Sequence, residues 1–258
     1  FRAYGDFVER LGGAYITAED VGTTVANMEI VSTRTKHVSG LARDHGGSGD
    51  PSPATARGVM AALRAIAERL WGEQDLTGRR VAIKGVGKVG MSLAERLHGA
   101  GAEIIVADVN EAATDRAARD LGAKVVHVDE VHSVDCDVFS PCALGADLNP
   151  DSIPELACEA IAGSANNQLL TDADGERIAR RGILYAPDFV VNAGGIINIA
   201  AERGGYSPDK AIEMIDRIYD NLNEILDFAD REGLRTDVAA ERVADERIAR
   251  ARAQGEAT

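Results

Sequence analysis

Apolar positions follow helical spacing in the first part of the chain and divide into alternating strands and helices after residue 80. The N-terminal segment has the pattern of an amphipathic helix, residues 14–17 resemble a short strand, and the glycines of 46–49 predict a loop. Ser52 and Pro53 predict an N-cap and a first-turn proline. The helix that they open ends near residue 72, and its buried face carries Val59, Leu63, Ile66 and Leu70.

From residue 80 onward, short apolar segments alternate with helical ones. Strands are predicted at 81–83, 103–107, 124–127, 138–139, 160–162 and 183–185, and a helix is predicted at 111–121. This alternation indicates βαβ units and a parallel sheet. Beyond Asn192 the chain turns helical, with one long helix opened by Ser207 and Pro208 and a charged, arginine-rich helix at the end.

Composition and charge exclude several classes of protein. The chain has 258 residues, of which 45% are hydrophobic and 27% charged, so collagen-like, disordered and disulfide-scaffold classes are excluded. Its net charge is −14 with no basic cluster, and no apolar stretch could span a membrane, so we expect neither nucleic acid nor membrane as a partner. The three cysteines (Cys136, Cys142 and Cys158) include no CxxC pair, which predicts reduced thiols in a cytoplasmic protein. The histidines show no metal-site spacing, so no metal is expected.

A glycine-rich turn is the most specific local motif. The pattern GxGxxG is weak alone, but here it follows a predicted strand and opens a predicted helix. The first glycine permits the tight turn, the second lets the backbone approach a pyrophosphate, and the third lets helix and strand pack closely. The helix N-terminus would face the phosphates. The predicted cofactor-binding residues of this turn are Gly85, Val86, Gly87, Lys88, Val89 and Gly90.

Asp108 follows the second predicted strand, about 20 residues beyond the turn. Its carboxylate can accept hydrogen bonds from the adenosine ribose, and its charge repels a 2′-phosphate. No arginine follows it, since Val109 and Asn110 come next. The sequence therefore predicts NAD rather than NADP as the cofactor.

Three further segments can each be interpreted in two ways from the local sequence, as a binding or catalytic segment or as an ordinary turn. Asp20 lies in a loop of small residues, where an aspartate is commonly a turn or cap residue. Asn166, Asn167 and Asn192 follow strand-like segments, where a doubly wound sheet presents its strand ends to a ligand, but asparagine-capped turns would explain them equally.

Six segments taken together resemble one family, the dehydrogenases that act on glutamate, leucine, phenylalanine and valine, with leucine and valine dehydrogenases most similar. They are TAEDVGTT at 17–24, SGDPSPATARGV at 48–59, GVGKVG at 85–90, SPCALGA at 140–146, AGSANNQL at 162–169 and APDFVVNAGGIIN at 186–198. The resemblance implies reversible NAD-dependent oxidative deamination of a branched-chain L-amino acid to its 2-oxo acid and ammonia. It also implies an enzyme that is usually a homo-oligomer.

The same resemblance implies a role for each matching residue. Asp20 would take part in proton transfer at the substrate amine, and Thr55 would meet the nicotinamide carboxamide. Asn166 and Asn167 would lie beside the nicotinamide and the substrate. The substrate residues that it implies are Asn192 in the NAGG loop and Ala18, Ile196 and Ile199 in the side-chain pocket. Glutamate-specific relatives have a hydroxyl residue at the position of Ile199, which disfavours glutamate here.

The family's catalytic and carboxylate-binding lysines find no counterpart among the five lysines of this chain. We interpret this as truncation before Phe1 and expect the fragment alone to be inactive. The alternatives are a non-catalytic NAD-binding homologue and a phenylalanine or glutamate dehydrogenase of the same family.

The expected architecture is α/β, with a doubly wound parallel sheet of Rossmann type. Residues 1–50 would be the remnant of an N-terminal α/β substrate domain, and 51–190 the NAD-binding domain. Residues 191–258 would be helices that pack back across the cleft.

Overall fold

A parallel sheet of six strands organises the residues that the computed structural model describes, which are 1–20, 22–203 and 205–255. The strand order is β3-β2-β1-β4-β5-β6, that of a doubly wound dinucleotide-binding fold, so the predicted fold class is confirmed. The strands are β1 Arg80–Lys84, β2 Glu103–Ala107, β3 Lys124–Val125, β4 Val138–Pro141, β5 Ala160–Ile161 and β6 Leu184–Tyr185.

Helices connect the strands and extend beyond both ends of the sheet. Helix α5 occupies the predicted residues, and α3 ends before Gly72, whose φ of 81° gives the left-handed C-terminus that glycine favours. The helices are α1 Arg2–Arg10, α2 Val25–Ser32, α3 Ser52–Trp71, α4 Lys88–Gly99, α5 Glu111–Leu121, α6 Asp172–Arg180, α7 Asp188–Val191, α8 Gly194–Ala200, α9 Pro208–Asp216, α10 Ile218–Glu232 and α11 Thr236–Gly255. None of them, within the described residues, is long and apolar enough to cross a membrane.

Both predicted peripheral strands are shorter than their apolar patterns suggested. Within the part of the chain that the structure describes, residues 14–17 contribute a single bridge, between Thr17 and Val38. Strand β3 stops at Val125, which is half-exposed at the edge of the sheet and has only β2 as a neighbour. Apolar runs at a sheet edge therefore overstated strand length.

Two helix boundaries also differ from expectation. Ser52 lies inside the first turn of α3 rather than at its N-cap, and its backbone N–H donates to Asp50 Oδ1 at 2.8 Å. The long helix expected from Ser207 is interrupted at Arg217 into α9 and α10. Ile218, the first residue after the interruption, lies where a Cβ on Gly58 would come within 2.7 Å of its Cδ1. The break between α9 and α10 therefore lies where Ile218 packs against α3.

Strand β1 shows why the strand sequences are almost wholly apolar. Val81 and Ile83 join a cluster between the sheet and helices α3, α4 and α10, whereas Ala82 joins a cluster on the opposite face. A parallel strand covered on both sides has no solvent-facing position. Polar side chains are therefore left to the strand ends, where the candidate site lies.

Candidate functional site

The glycine turn joins β1 to α4 and lies close to the loop after β4. Gly85 has a φ of 96°, and a Cβ there would come within 2.8 Å of Ala143. A Cβ on Gly90 would lie 1.9 Å from the Gly85 carbonyl oxygen, so helix and strand require glycine at that contact. Gly87, in contrast, has nothing within 4 Å of the corresponding position. The turn is thus closed by packing at its two ends and open at its middle, where a phosphate group needs backbone access.

Asp108 lies directly beside this turn. Its Oδ2 accepts the backbone N–H of Val86 at 2.7 Å, and its Oδ1 accepts that of Asn110 at 2.8 Å. The carboxylate also borders a depression of about 1020 Å³ at the carboxyl ends of β2 and β3, and none of the described residues that line this depression is an arginine. Its walls are mixed, with valines such as Val109, Val126 and Val128 between polar and charged side chains. The site therefore offers a carboxylate that can accept hydrogen bonds from a ribose, next to the valine side chains of the depression.

The predicted asparagines meet at the ends of β5 and β6. Asn192 Nδ2 donates to Asn166 Oδ1 at 2.6 Å, and the Asn167 carbonyl accepts the N–H of Ala146 at 2.7 Å. Asn167 has a φ of 51°, a left-handed conformation that asparagine tolerates better than most residues. A Cβ on Gly145 would lie 2.7 Å from the Asn166 carbonyl oxygen, so the loops after β4 and β5 are in close contact.

A buried pair beneath these amides was missed by sequence reasoning. Gln168 is fully buried, and its side-chain amide donates to the carbonyls of Gly163 and Ala165 at 2.9 and 3.0 Å. Its backbone N–H donates to Asp188 Oδ2 at 3.0 Å. The ANNQ and APD motifs contained the signal, but only the fold brings these residues together. They hold the loop that presents Asn166 and Asn167.

The NAGG segment packs against the start of α3. A Cβ on Gly194 would lie 2.2 Å from the Ala54 carbonyl oxygen, and one on Gly195 would lie 2.5 Å from Thr55 Oγ1. Thr55 Oγ1 donates to the carbonyl of Pro51 at 3.2 Å. These contacts place the predicted nicotinamide contact, Thr55, beside the helix that carries the predicted pocket residues.

The three predicted pocket residues differ in exposure. Ile196 and Ile199 lie three positions apart on α8, hence on one side of the helix, and Ile196 is 65% exposed while Ile199 is half-buried. Ala18 is half-buried in the segment before Asp20. The structure shows no direct contact that tests whether the three form one wall, so that grouping stays a prediction.

Asp20 is exposed and begins a tight turn. Its backbone N–H donates to Thr23 Oγ1 at 2.9 Å, and its carbonyl accepts both the N–H and the hydroxyl of Thr23. Residue 21, in the middle of the quoted motif, lies outside the described residues. The preceding residue, Glu19, is buried and accepts a hydrogen bond from Lys88 of the glycine turn at 2.6 Å. The Asp20 segment is thereby tied to the nucleotide-binding loop.

A second carboxylate, just after the end of α8, binds a loop next to the same region. Glu202 Oε1 accepts the backbone N–H groups of Gly40 and Ser48 at 3.0 and 2.6 Å. Gly40 in turn packs against Glu19, since a Cβ on it would lie 3.8 Å from the Glu19 nitrogen. Gly40 therefore lies between the two segments, since it packs against Glu19 and is hydrogen-bonded to Glu202.

Comparison with known proteins agrees with this geometry. The glutamate/leucine/phenylalanine/valine dehydrogenase family model matches residues 46–113 and 108–255. The leucine dehydrogenase of Thermoactinomyces intermedius is 46% identical over 248 residues, which cover 96% of this chain and 68% of that protein. This chain belongs to the glutamate/leucine/phenylalanine/valine dehydrogenase family.

Other similar proteins include a further leucine dehydrogenase and dehydrogenases named for other amino acids. The leucine dehydrogenase of Geobacillus stearothermophilus is 48% identical over 248 residues, 96% of this chain and 68% of the relative. The crystal structure of the L-tryptophan dehydrogenase from Nostoc punctiforme has a TM-score of 0.84 at 40% identity, covering 97% of this chain and 72% of that one. A hetero-hexameric glutamate dehydrogenase from Thermus thermophilus, at 23% identity and a TM-score of 0.72, shares the fold.

This amino-acid dehydrogenase is thus an oxidoreductase acting on a CH–NH2 group, and the family generally depends on a nicotinamide cofactor. The residues present fit such a cofactor. The open space at Gly87, the N-terminus of α4 and the carboxylate of Asp108 match a pyrophosphate and a ribose in turn. Among the described residues, no group of three or more histidine, cysteine or acidic side chains is arranged to hold a metal ion.

Proposed function

We propose that this enzyme catalyses the reversible NAD-dependent oxidative deamination of a branched-chain L-amino acid, leucine or valine. The observation that carries the proposal is that the glycine turn contacts both other motifs: Gly85 packs on the loop after β4, whose Gly145 lies against Asn166, and Lys88 pairs with Glu19, next to Asp20. The identity of 46–48% to leucine dehydrogenases supports the substrate class.

The cofactor specificity rests on Asp108. With both of its oxygens held by backbone N–H groups, the carboxylate is fixed at the end of β2, where a ribose can donate hydroxyl hydrogen bonds to it. A 2′-phosphate at the same place would meet this negative charge, so NAD is favoured over NADP. When bound, NAD accepts the hydride that leaves the substrate Cα.

The substrate side of the reaction requires proton transfer and water. Amino acid, water and NAD give 2-oxo acid, ammonium and NADH with release of one proton. In this proposal Asp20, which is exposed at the start of its turn, exchanges protons with the substrate amine and with the water that adds to the imine carbon. Asn192, held by Asn166, orients the substrate beside the nicotinamide site.

The apolar residues predicted to line the side-chain pocket disfavour glutamate as a substrate. Ala18, Ile196 and Ile199 offer no hydrogen bond, and an unpaired carboxylate is costly to desolvate against such a surface. The second candidate substrate is an aromatic L-amino acid. It is favoured by the 65% exposure of Ile196, which leaves room at the wall, and by the similarity to the Nostoc enzyme.

The test is a comparison of kcat/KM for leucine, valine, phenylalanine, tryptophan and glutamate, combined with NADH and NADPH binding followed by nucleotide fluorescence. We expect leucine or valine to lead, glutamate to be rejected strongly and NADH to bind more tightly than NADPH. If glutamate gave the highest kcat/KM, the pocket assignment would be contradicted. Equal affinity for NADH and NADPH would contradict the role of Asp108.

We also propose the division into a substrate segment, 1–50, an NAD-binding domain, 51–190, and C-terminal helices, 191–258. The division is supported by the hydrogen bonds of Lys88 and Glu202, which cross between these parts. Homo-oligomer formation is proposed as well, on the exposed apolar side chains of Tyr4 and Phe7 on α1 and of Leu11 directly after it. Light scattering during gel filtration tests it, and a purely monomeric enzyme would refute it.

A further inference from the structure

Glu19 is a charged residue in a buried position. Its side chain is only 4% exposed, and its Oε1 lies 2.6 Å from Lys88 Nζ. Its Oε2 is buried and has no hydrogen-bond partner among the described residues. A carboxylate in such surroundings is tolerated only when a cation pairs with it. Lys88 is that cation, so the burial of Glu19 depends on a residue of the glycine turn.

Lys88 is directed away from its own domain. It is the first residue of α4, yet its ammonium meets Glu19 and lies 3.5 Å from Asp50 Oδ2, just before α3. The hydrogen bond with Glu19 is the main reason that the pKa of Lys88 is raised, although burial opposes it, and the charge of Asp50 adds to the effect. Both acidic partners belong to the segment that precedes α3, not to the nucleotide-binding turn.

We propose that Lys88 is a positioning residue for Asp20, holding the Asp20 segment against the nucleotide-binding turn through its ion pair with Glu19. This inference rests on the proposed role of Asp20 in proton transfer. The backbone N–H groups at the start of α4 serve the pyrophosphate, while the Lys88 ammonium sets the distance between the two loops. The ion pair of Lys88 with Glu19 thus joins the Asp20 segment to α4, whereas Glu202 accepts the backbone N–H of Gly40 in the neighbouring loop.

The experiment measures amide hydrogen exchange in the 17–20 segment of the whole chain, without nucleotide. The N–H of Thr17 bonds to the His37 carbonyl and that of Asp20 to Thr23, so their exchange reports local opening. In Lys88→Met we expect this segment to exchange roughly tenfold faster or more, the loss of one charged hydrogen bond. Lys88→Arg should restore the wild-type rate, because a guanidinium can bind the same carboxylate.

Matched variants separate this role from general destabilisation. Lys210→Met removes the same charge from an exposed site on α9 and should leave exchange at 17–20 unchanged. The double variant Glu19→Gln with Lys88→Met leaves no unpaired buried charge, so it tests the attachment even where Lys88→Met folds poorly. It should retain the fast exchange at 17–20 while β1 and α10 exchange as in the wild type.

NADH titration distinguishes the remaining outcomes. The cofactor contact expected of Lys88 is its backbone N–H, which Lys88→Met retains, so we expect the NADH dissociation constant to change by less than about threefold, the size of effect of an exposed ion pair. Unchanged exchange at 17–20 in Lys88→Met and in the double variant would overturn the proposal. A tenfold loss of NADH affinity with that exchange unchanged would make the ammonium a phosphate ligand instead. Failure of the wild type to bind NADH would refute the proposed function, whereas the exchange comparison would still stand.

Discussion

Replacement of Asp108 by asparagine keeps the size of the side chain and removes its charge. In the native protein both carboxylate oxygens accept backbone hydrogen bonds, from Val86 at 2.7 Å and Asn110 at 2.8 Å. An amide has only one acceptor oxygen, so one of these N–H groups or a ribose hydroxyl loses its partner. A hydrogen bond to a charged group contributes about 1.5–3 kcal/mol, and each 1.4 kcal/mol is tenfold in affinity. We therefore expect NADH to bind roughly 10- to 100-fold more weakly.

The same substitution should improve NADPH binding. Two unit charges about 4 Å apart repel each other by about 4 kcal/mol at an effective dielectric constant of 20. Asp108 is half-exposed, so solvent and salt screen part of this repulsion, and we expect a gain of about tenfold. The ratio of NADH to NADPH affinity would then fall by roughly two to three orders of magnitude.

Fluorescence titration with both nucleotides, at low and high salt, measures this ratio. Glu111→Gln is the matched control, because Glu111 is an exposed acid that lines the same depression. It should alter either affinity by less than about threefold. A wild-type ratio in Asp108→Asn, or an equal change in Glu111→Gln, would show that general negative charge and not this carboxylate selects the nucleotide.

Two further predictions concern stability. Gly195→Ala should destabilise the enzyme by about 1–3 kcal/mol, because the new Cβ would lie 2.5 Å from Thr55 Oγ1. Gly87→Ala has open space around the new Cβ, so this variant should fold normally and lose NADH affinity. Thermal unfolding and NADH titration check the two variants, and equal melting temperatures would refute the prediction. Burial would raise the pKa of Asp147, but hydrogen bonds from His132 and Lys84 outweigh the effect of burial and lower that pKa. The resulting stabilisation is present above the unfolded-state pKa of the carboxyl group and is lost as pH falls through the lowered pKa of the folded state. Asp147→Asn should therefore flatten the acid side of the curve of unfolding free energy against pH, measured by chemical denaturation. An unchanged acid side would contradict the role of Asp147.

Local patterns in the sequence determined most of the fold. The alternation of apolar strands and amphipathic helices predicted all six strands near their observed places and the helix at Glu111–Leu121, because burial of both sheet faces imposes a simple pattern. The glycine turn and Asp108 were also predictable, since their spacing reflects one local βαβ unit. The residues of the candidate site were reached through such motifs, and their roles remain predictions.

The tertiary structure alone decided the contacts that join distant segments. Glu19 and Lys88 are far apart in sequence, as are Glu202 and Gly40, and nothing in the local pattern of either partner indicates the other. The shortening of β3 and the break at Arg217 likewise follow from which neighbour each segment meets. Periodicity records whether a position is buried, but a charged residue is buried only where the fold supplies its counter-ion. That pairing is a property of three-dimensional packing, so no reading of the linear chain could assign Glu19 its partner.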